Sequence, residues 1–200
     1  MGGSPRYHES MDIELIGFDE KEEKQPLTTE ELTLLDTTTV TEEDAAKFPN
    51  EFILEPYKEF TPEQRQNLSK YVIKMSIPEK IRLAILGNQE ARNILIHDPN
   101  KVIPLAVLRN PKVSENEALL YAQLRTLPDD VLVAISKHKV WIKNYPIKLA
   151  LISNPKTPLP LAIKLLDHLH DRDLQNLARS KAISYVLARS AARLHFKRRG

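Results

Sequence analysis

Leu83-Ala84-Ile85-Leu86-Gly87-Asn88 returns as Leu105-Ala106-Val107-Leu108-Arg109-Asn110, and again as Leu149-Ala150-Leu151-Ile152-Ser153-Asn154. Weaker copies are Val133-Ala134-Ile135-Ser136-Lys137-His138 and Leu177-Ala178-Arg179-Ser180-Lys181. Counting from Ala84, the alanine recurs after 22, 28, 16 and 28 residues. Each unit has room for two short helices and a turn, and is too small to bury its own apolar face. Such units must stack. The expected fold is all-α, a short α-solenoid of about five two-helix repeats.

Punctuation around the phrase agrees. Asn88, Asn110 and Asn154 stand where an asparagine in the left-handed conformation ends a helix. Pro111 and Pro155 follow two of them and prevent continuation. Thr61-Pro62-Glu63-Gln64 and Ser114-Glu115-Asn116-Glu117 read as capping boxes, and Thr157-Pro158 as a cap followed by proline. Pro104 falls in a first helical turn, where its missing N–H loses no bond. Helices are expected near residues 79–86, 89–97, 101–108, 114–124, 128–137, 146–152, 158–166, 171–179 and 184–196, after one that starts at Thr61. The repeated alanine is expected where two helices approach closely.

The net charge of +2 hides a division. Residues 1–60 hold 16 acidic and 5 basic side chains, while residues 61–200 hold 11 and 24. An acidic, mostly disordered tail (1–60), a helical repeat domain (61–196) and a short basic end (197–200) follow from that split. Two helix starts interrupt the tail, Thr28-Thr29-Glu30-Glu31-Leu32 and Thr41-Glu42-Glu43-Asp44. Phe52-Ile53-Leu54, with Tyr57 and Phe60, is expected to cover the first helix pair as a lid.

Ile147-Lys148-Leu149-Ala150-Leu151-Ile152-Ser153-Asn154-Pro155-Lys156-Thr157-Pro158 resembles the helical-repeat superfamily that includes HEAT-like repeats and the leucine-rich repeat variant. Within it, the Asn-Pro-Lys-Thr-Pro phrase and the acidic N-terminal region are similar to those of uncharacterised bacterial proteins. The resemblance covers about residues 70–196 and implies an interaction surface. The iron–sulfur cluster of the leucine-rich repeat variant needs cysteines, and this chain has 0 Cys. Some HEAT-like proteins are DNA glycosylases, but Glu90, Asp98 and Trp141 do not group into their catalytic pattern.

Chemistry-bearing patterns are sparse. No cysteine means no disulfide, thiolate metal site or thiol nucleophile, and suits a reducing compartment. No secretory signal and no apolar run of membrane-spanning length is visible, so a cytoplasmic protein without membrane contact is expected. Asp167-His168-Leu169-His170-Asp171 carries metal-ligand residue types, yet two imidazoles at this spacing diverge on a helix and fit a turn better. Asp129 and Asp130 after Pro128 read as first-turn carboxylates rather than an acid–base pair. Trp141 between Lys139 and Lys143 is either an exposed base-stacking ring or, more in keeping with its irregular surroundings, a bulky filler. No catalytic site, cofactor or metal is expected.

Basic placement is the functional signal. Arg109, Lys137 and Lys181 stand three positions after the repeated alanine, with Arg82 and Lys148 two before it. Stacked repeats would align such positions into cationic rows. Arg189, Arg193 and Lys197 lie four apart near the C-terminus. The expected function is a non-catalytic scaffold binding an acidic peptide or partner protein on these eight residues, with the acidic tail covering them. The alternative is a nucleic-acid-binding protein that contacts phosphates through the same rows. Oligomeric state stays open.

Overall fold

The computed structural model describes residues 27–55 and 60–199. Three short helices come first: α1 (Thr29–Thr37), α2 (Glu42–Ala45) and α3 (Asn50–Ile53). Then follow α4 (Pro62–Ile73), α5 (Ile77–Leu86), α6 (Gln89–Leu95), α7 (Val102–Leu108) and α8 (Glu115–Gln123). After α9 (Asp129–Lys137), a 3₁₀ turn (Trp141–Lys143) leads into α10 (Tyr145–Ser153). The last elements are α11 (Leu159–Leu166), α12 (Asp171–Arg179) and α13 (Tyr185–Arg199). No strand occurs among the described residues, and the fold is all-α.

Local chemistry starts these helices where the sequence says. Thr28 with Glu31, Thr61 with Gln64, Ser76 with Glu79 and Ser114 with Glu117 close reciprocal capping boxes. Asp129 and Asp130 open α9, complementing its dipole. Thr157 does not cap α11. Pro158 takes the N-cap position, one residue later than the sequence reading placed the start.

Several helices pack against the next but one in sequence, although the most extensive pairing, α12 with α13, joins neighbours. Helix α5 lies on α7 and α7 on α9, while α4 lies on α6, α8 on α10 and α11 on α13. One contiguous apolar core runs through all of them, from Leu35 to Ala191. The regularity breaks at the 3₁₀ turn. Helix α10 carries a strong copy of the phrase, yet it packs mainly on α8 rather than on phrase-bearing α9. Only 16 residues separate Ala134 from Ala150, too few for a full second helix between them.

The repeated alanine reflects that break. Ala84 and Ala106 are fully buried, whereas Ala134, Ala150 and Ala178 are only half-buried. Full burial of the alanine holds for the first two copies alone. Equivalent sequence positions therefore do not all share one environment.

The repeated asparagines work differently from the sequence expectation. Asn88 (φ −72°, ψ −178°) and Asn154 (φ −84°, ψ 119°) are extended, not left-handed. Their amides bridge helices instead. Asn110 Nδ2 donates to the carbonyls of Ala84 and Gly87 at the end of α5, each at 2.9 Å. Asn154 Nδ2 donates to Ala122 and Leu124 at the end of α8, at 2.8 and 2.9 Å. Asn88 Nδ2 donates to Glu51 and Leu54 around α3, at 2.8 and 2.6 Å. Each amide satisfies two of the carbonyls that a helix end leaves without partners. Oδ1 then accepts from the chain ahead: Ala91 N, Lys112 N or Lys156 N. At His138, which holds the asparagine position of the third copy, ring Nδ1 takes over the acceptor role toward Trp141 N at 3.3 Å.

A second polar tie crosses α6 and α8. Arg92 donates through Nε and Nη2 to Glu117 at 2.8 and 3.0 Å, and through Nη1 to the Gly87 carbonyl at 2.9 Å. Both side chains are buried. Glu117 also accepts from Ser114 and from the Tyr121 hydroxyl. Burial pushes the Glu117 carboxyl up, but the Arg92 and Ser114 hydrogen bonds outweigh it and leave the group below its ordinary range. Burial, reinforced by Glu117, raises the Tyr121 phenol.

Residues 27–55 correct the expected tail boundary. Both helix starts foreseen there are present, and α3 adds a third helix. Leu35, Phe48 and Phe52 are buried in the core. Burying three large apolar side chains offsets the ordering entropy that charge-dense sequence alone cannot. Tyr57 lies outside the described residues. Among those residues, no helix is long and apolar enough to cross a membrane.

Candidate functional site

The best-defined candidate surface is where residues 27–55 lie over α5, α6 and α7. Helix α1 rests on α7, α2 on α5 and α3 on α6. Three kinds of contact hold them. Apolar anchoring comes from Leu35 and Phe52, the latter with its ring 5.8 Å from that of Tyr71. Backbone carbonyls of the segment are taken up by repeat-domain donors: Asn88 binds Glu51 and Leu54, the Asn88 N–H binds Phe52 O at 2.7 Å, and Arg109 Nη1 binds Leu35 O at 2.8 Å. Charge pairing completes the set.

Two of the eight basic residues singled out from sequence take part in that pairing. Arg109, the C-cap residue of α7, donates through Nη2 to Asp36 Oδ1 at 2.5 Å. The carboxylate is 67% exposed, so this pair is worth well under about 1 kcal/mol by itself. Arg82 Nε on α5 sits 3.9 Å from Asp44 Oδ1. Asp44 also accepts from Lys47 Nζ at 2.7 Å and from the Thr41 N–H at 3.0 Å. The Lys47 hydrogen bond, followed by that of Thr41, holds the Asp44 carboxyl down to about 2. An acidic segment of this chain thus sits on the cationic positions of the first two phrase-bearing helices.

The other six do not join them. Lys137 is exposed at the end of α9, and Lys148 is half-buried on α10. Lys137 lies on α9, which packs on α7, whereas Lys148 lies on α10, which packs mainly on α8. Lys181 and Arg189 are brought together at the junction of α12 and α13, beside Arg179. Arg193 and Lys197 are exposed further along α13. Sequence reasoning met Asp44 only as part of a helix start and passed over Asp36 and Leu35. The signal that points to them is the pair of Thr-capped starts, whose acidic residues sit beside apolar ones at helical spacing.

Remaining candidates resolve into structural roles. Trp141 is buried and stacks on His138 with ring centroids 3.7 Å apart. His170 starts α12 and stacks on Tyr145 at 4.4 Å, while the Tyr145 hydroxyl donates to Asp173. Arg198 donates to the carbonyls of Asp167 and Leu169 and to Asp171, closing the end of α11. Among the described residues, no three groups of metal-ligating type come together. Glu90 pairs with Arg65 and Asp98 with Lys80, at opposite ends of α6 and apart from Trp141.

Comparison with protein-family models, with curated proteins and with solved structures returns no match.

Proposed function

We propose that this chain is a non-catalytic interaction scaffold, a short HEAT-like α-solenoid whose α5–α7 surface takes an acidic peptide segment of a partner protein. Residues 27–55 hold that surface in a self-inhibited state. The observation that carries this reading is the internal complex itself: an acidic helix seated by a buried leucine, an arginine on that leucine's carbonyl and a carboxylate on the same arginine. A partner segment of similar chemistry would meet the same donors. Next-but-one packing of the helices and the asparagine bridges support the repeat architecture. Absence of cysteine supports a reducing, cytoplasmic setting.

The tethered segment competes at an effective concentration of roughly millimolar, so a partner must displace it. Leu35→Asp in the full chain removes the buried anchor and vacates the surface. A fluorescent synthetic peptide of residues 27–48 should then bind this variant at least about tenfold more tightly than the unmodified chain. Adding Arg109→Glu should abolish the binding. Equal binding by both chains, or by neither, contradicts the proposal.

A further inference from the structure

At the opposite end of the molecule, the 26 residues from Leu174 to Arg199 contain seven cations and no carboxylate. A merely solvated helix face mixes both signs. Arg179, Lys181, Arg189, Arg193 and Lys197 pair with no carboxylate among the described residues, unlike Arg82 and Arg109. Arg179, Lys181 and Arg189 line one concavity of about 430 Å³ with Ser180, Tyr185 and Ala192.

Helix α13 adds aromatic rings to that charge. Tyr185 is 73% exposed and Phe196 80%. They are eleven residues apart, which is three helical turns, so both rings share one face about 16 Å apart. Leu187, Ala191 and Leu194 occupy the opposite face and pack into the core with α11 and α12. Arg189, Arg193 and Lys197 run beside the rings along α13, and Arg179 and Lys181 join Tyr185 and Arg189 around one concavity. The Arg189 guanidinium lies 5.6 Å from the Tyr185 ring centroid, pre-ordering both.

Exposed rings beside unpaired cations match a polyanion that carries its own aromatic faces. We propose that the α12–α13 face binds single-stranded nucleic acid, with Tyr185 and Phe196 stacking bases and the five cations contacting phosphates. An anionic membrane surface fits less well. The continuous apolar side of α13 is already spent on the core, and an arginine interrupts the ring stripe. An acidic protein segment would use the charges and leave the rings idle.

The test is fluorescence anisotropy of the full chain with a labelled single-stranded oligouridylate of about 12 nucleotides, across a salt series. Three to five phosphate contacts give a log–log salt slope between about −2 and −3.5. Lys181→Gln with Arg189→Gln should flatten that slope. Tyr185→Ala with Phe196→Ala should weaken binding about tenfold or more while leaving the slope unchanged. These side chains are exposed, and unchanged helical circular dichroism verifies that the variants fold. Arg82→Gln with Arg109→Gln should leave the affinity as it is, which separates this site from the peptide surface. No binding at about 50 mM salt, equal affinity for polyglutamate or for anionic vesicles, or indifference to loss of the rings would overturn the proposal.

Discussion

Arg92 and Glu117 illustrate how a single pair governs the middle of the molecule. Both are buried, both are bidentate in the pair, and each has further partners that absorb its remaining hydrogen-bonding capacity. Removing one partner leaves a buried charge without compensation. Arg92→Ala should therefore destabilise the protein by about 3–5 kcal/mol in urea unfolding. Replacing both by leucine should cost clearly less than the sum of the single changes, because no charge is stranded. The Glu117 carboxyl sits below its ordinary value of 4.5 when folded. Its contribution is thus complete above that value and lost as pH falls through the depressed folded one. Glu117→Gln should flatten the decline of stability on the acid side of pH 4.5, measured by denaturant midpoints across a pH series. An unaltered acid-side decline contradicts this. Nothing in the sequence marked Arg92, because an arginine in a helix is ordinarily solvated. Its tie to Glu117, 25 residues on, is visible only once α6 and α8 lie together.

At the scale of elements, the asparagine after each strong phrase copy joins one helix end to another. Asn110→Ala removes two donors and strips the Ala84 carbonyl of a partner. The expected cost is about 2–3 kcal/mol by thermal or urea unfolding. Asn110→Asp should be worse than alanine, since it turns a buried carboxylate toward two carbonyl oxygens. If aspartate matches asparagine in stability, the bridge has no energetic role. The sequence disclosed where these helices end, through Asn-Pro spacing and capping boxes, because those are local effects. It did not disclose why they end there. Left-handed asparagine and bridging asparagine leave the same trace in sequence, and only the position of the neighbouring helix separates them. Likewise the short gap before Ala150 was visible, but its consequence, α10 turning onto α8, depends on where α8 already lies. The docking of α1 to α3 was hidden for the same reason. Their composition looks solvent-loving, and three buried side chains reverse that only once a groove exists to receive them.

Across the whole molecule, charge is distributed by use rather than by row. Arg82 and Arg109 at one end face the chain's own acidic segment, whereas Arg179, Lys181, Arg189, Arg193 and Lys197 at the other form no ion pair among the described residues. The proposed function rests on the first arrangement, in which an intramolecular contact stands where a partner segment would dock. It should be sensitive to salt, because the Asp36–Arg109 pair is exposed and charges beyond about 10 Å are screened at 0.1 M. The most direct measurement is hydrogen exchange at the α1 amides of the full chain at low and high salt, comparing the native sequence, Arg109→Glu and the exchanged pair Arg109→Glu with Asp36→Lys. Protection of α1 should fall about tenfold in Arg109→Glu, fall with added salt in the native chain, and recover in part in the exchanged pair, where the ion pair returns but the donor to the Leu35 carbonyl does not. Protection that is identical in all three chains and at both salt concentrations would contradict charge-directed docking on α5 and α7.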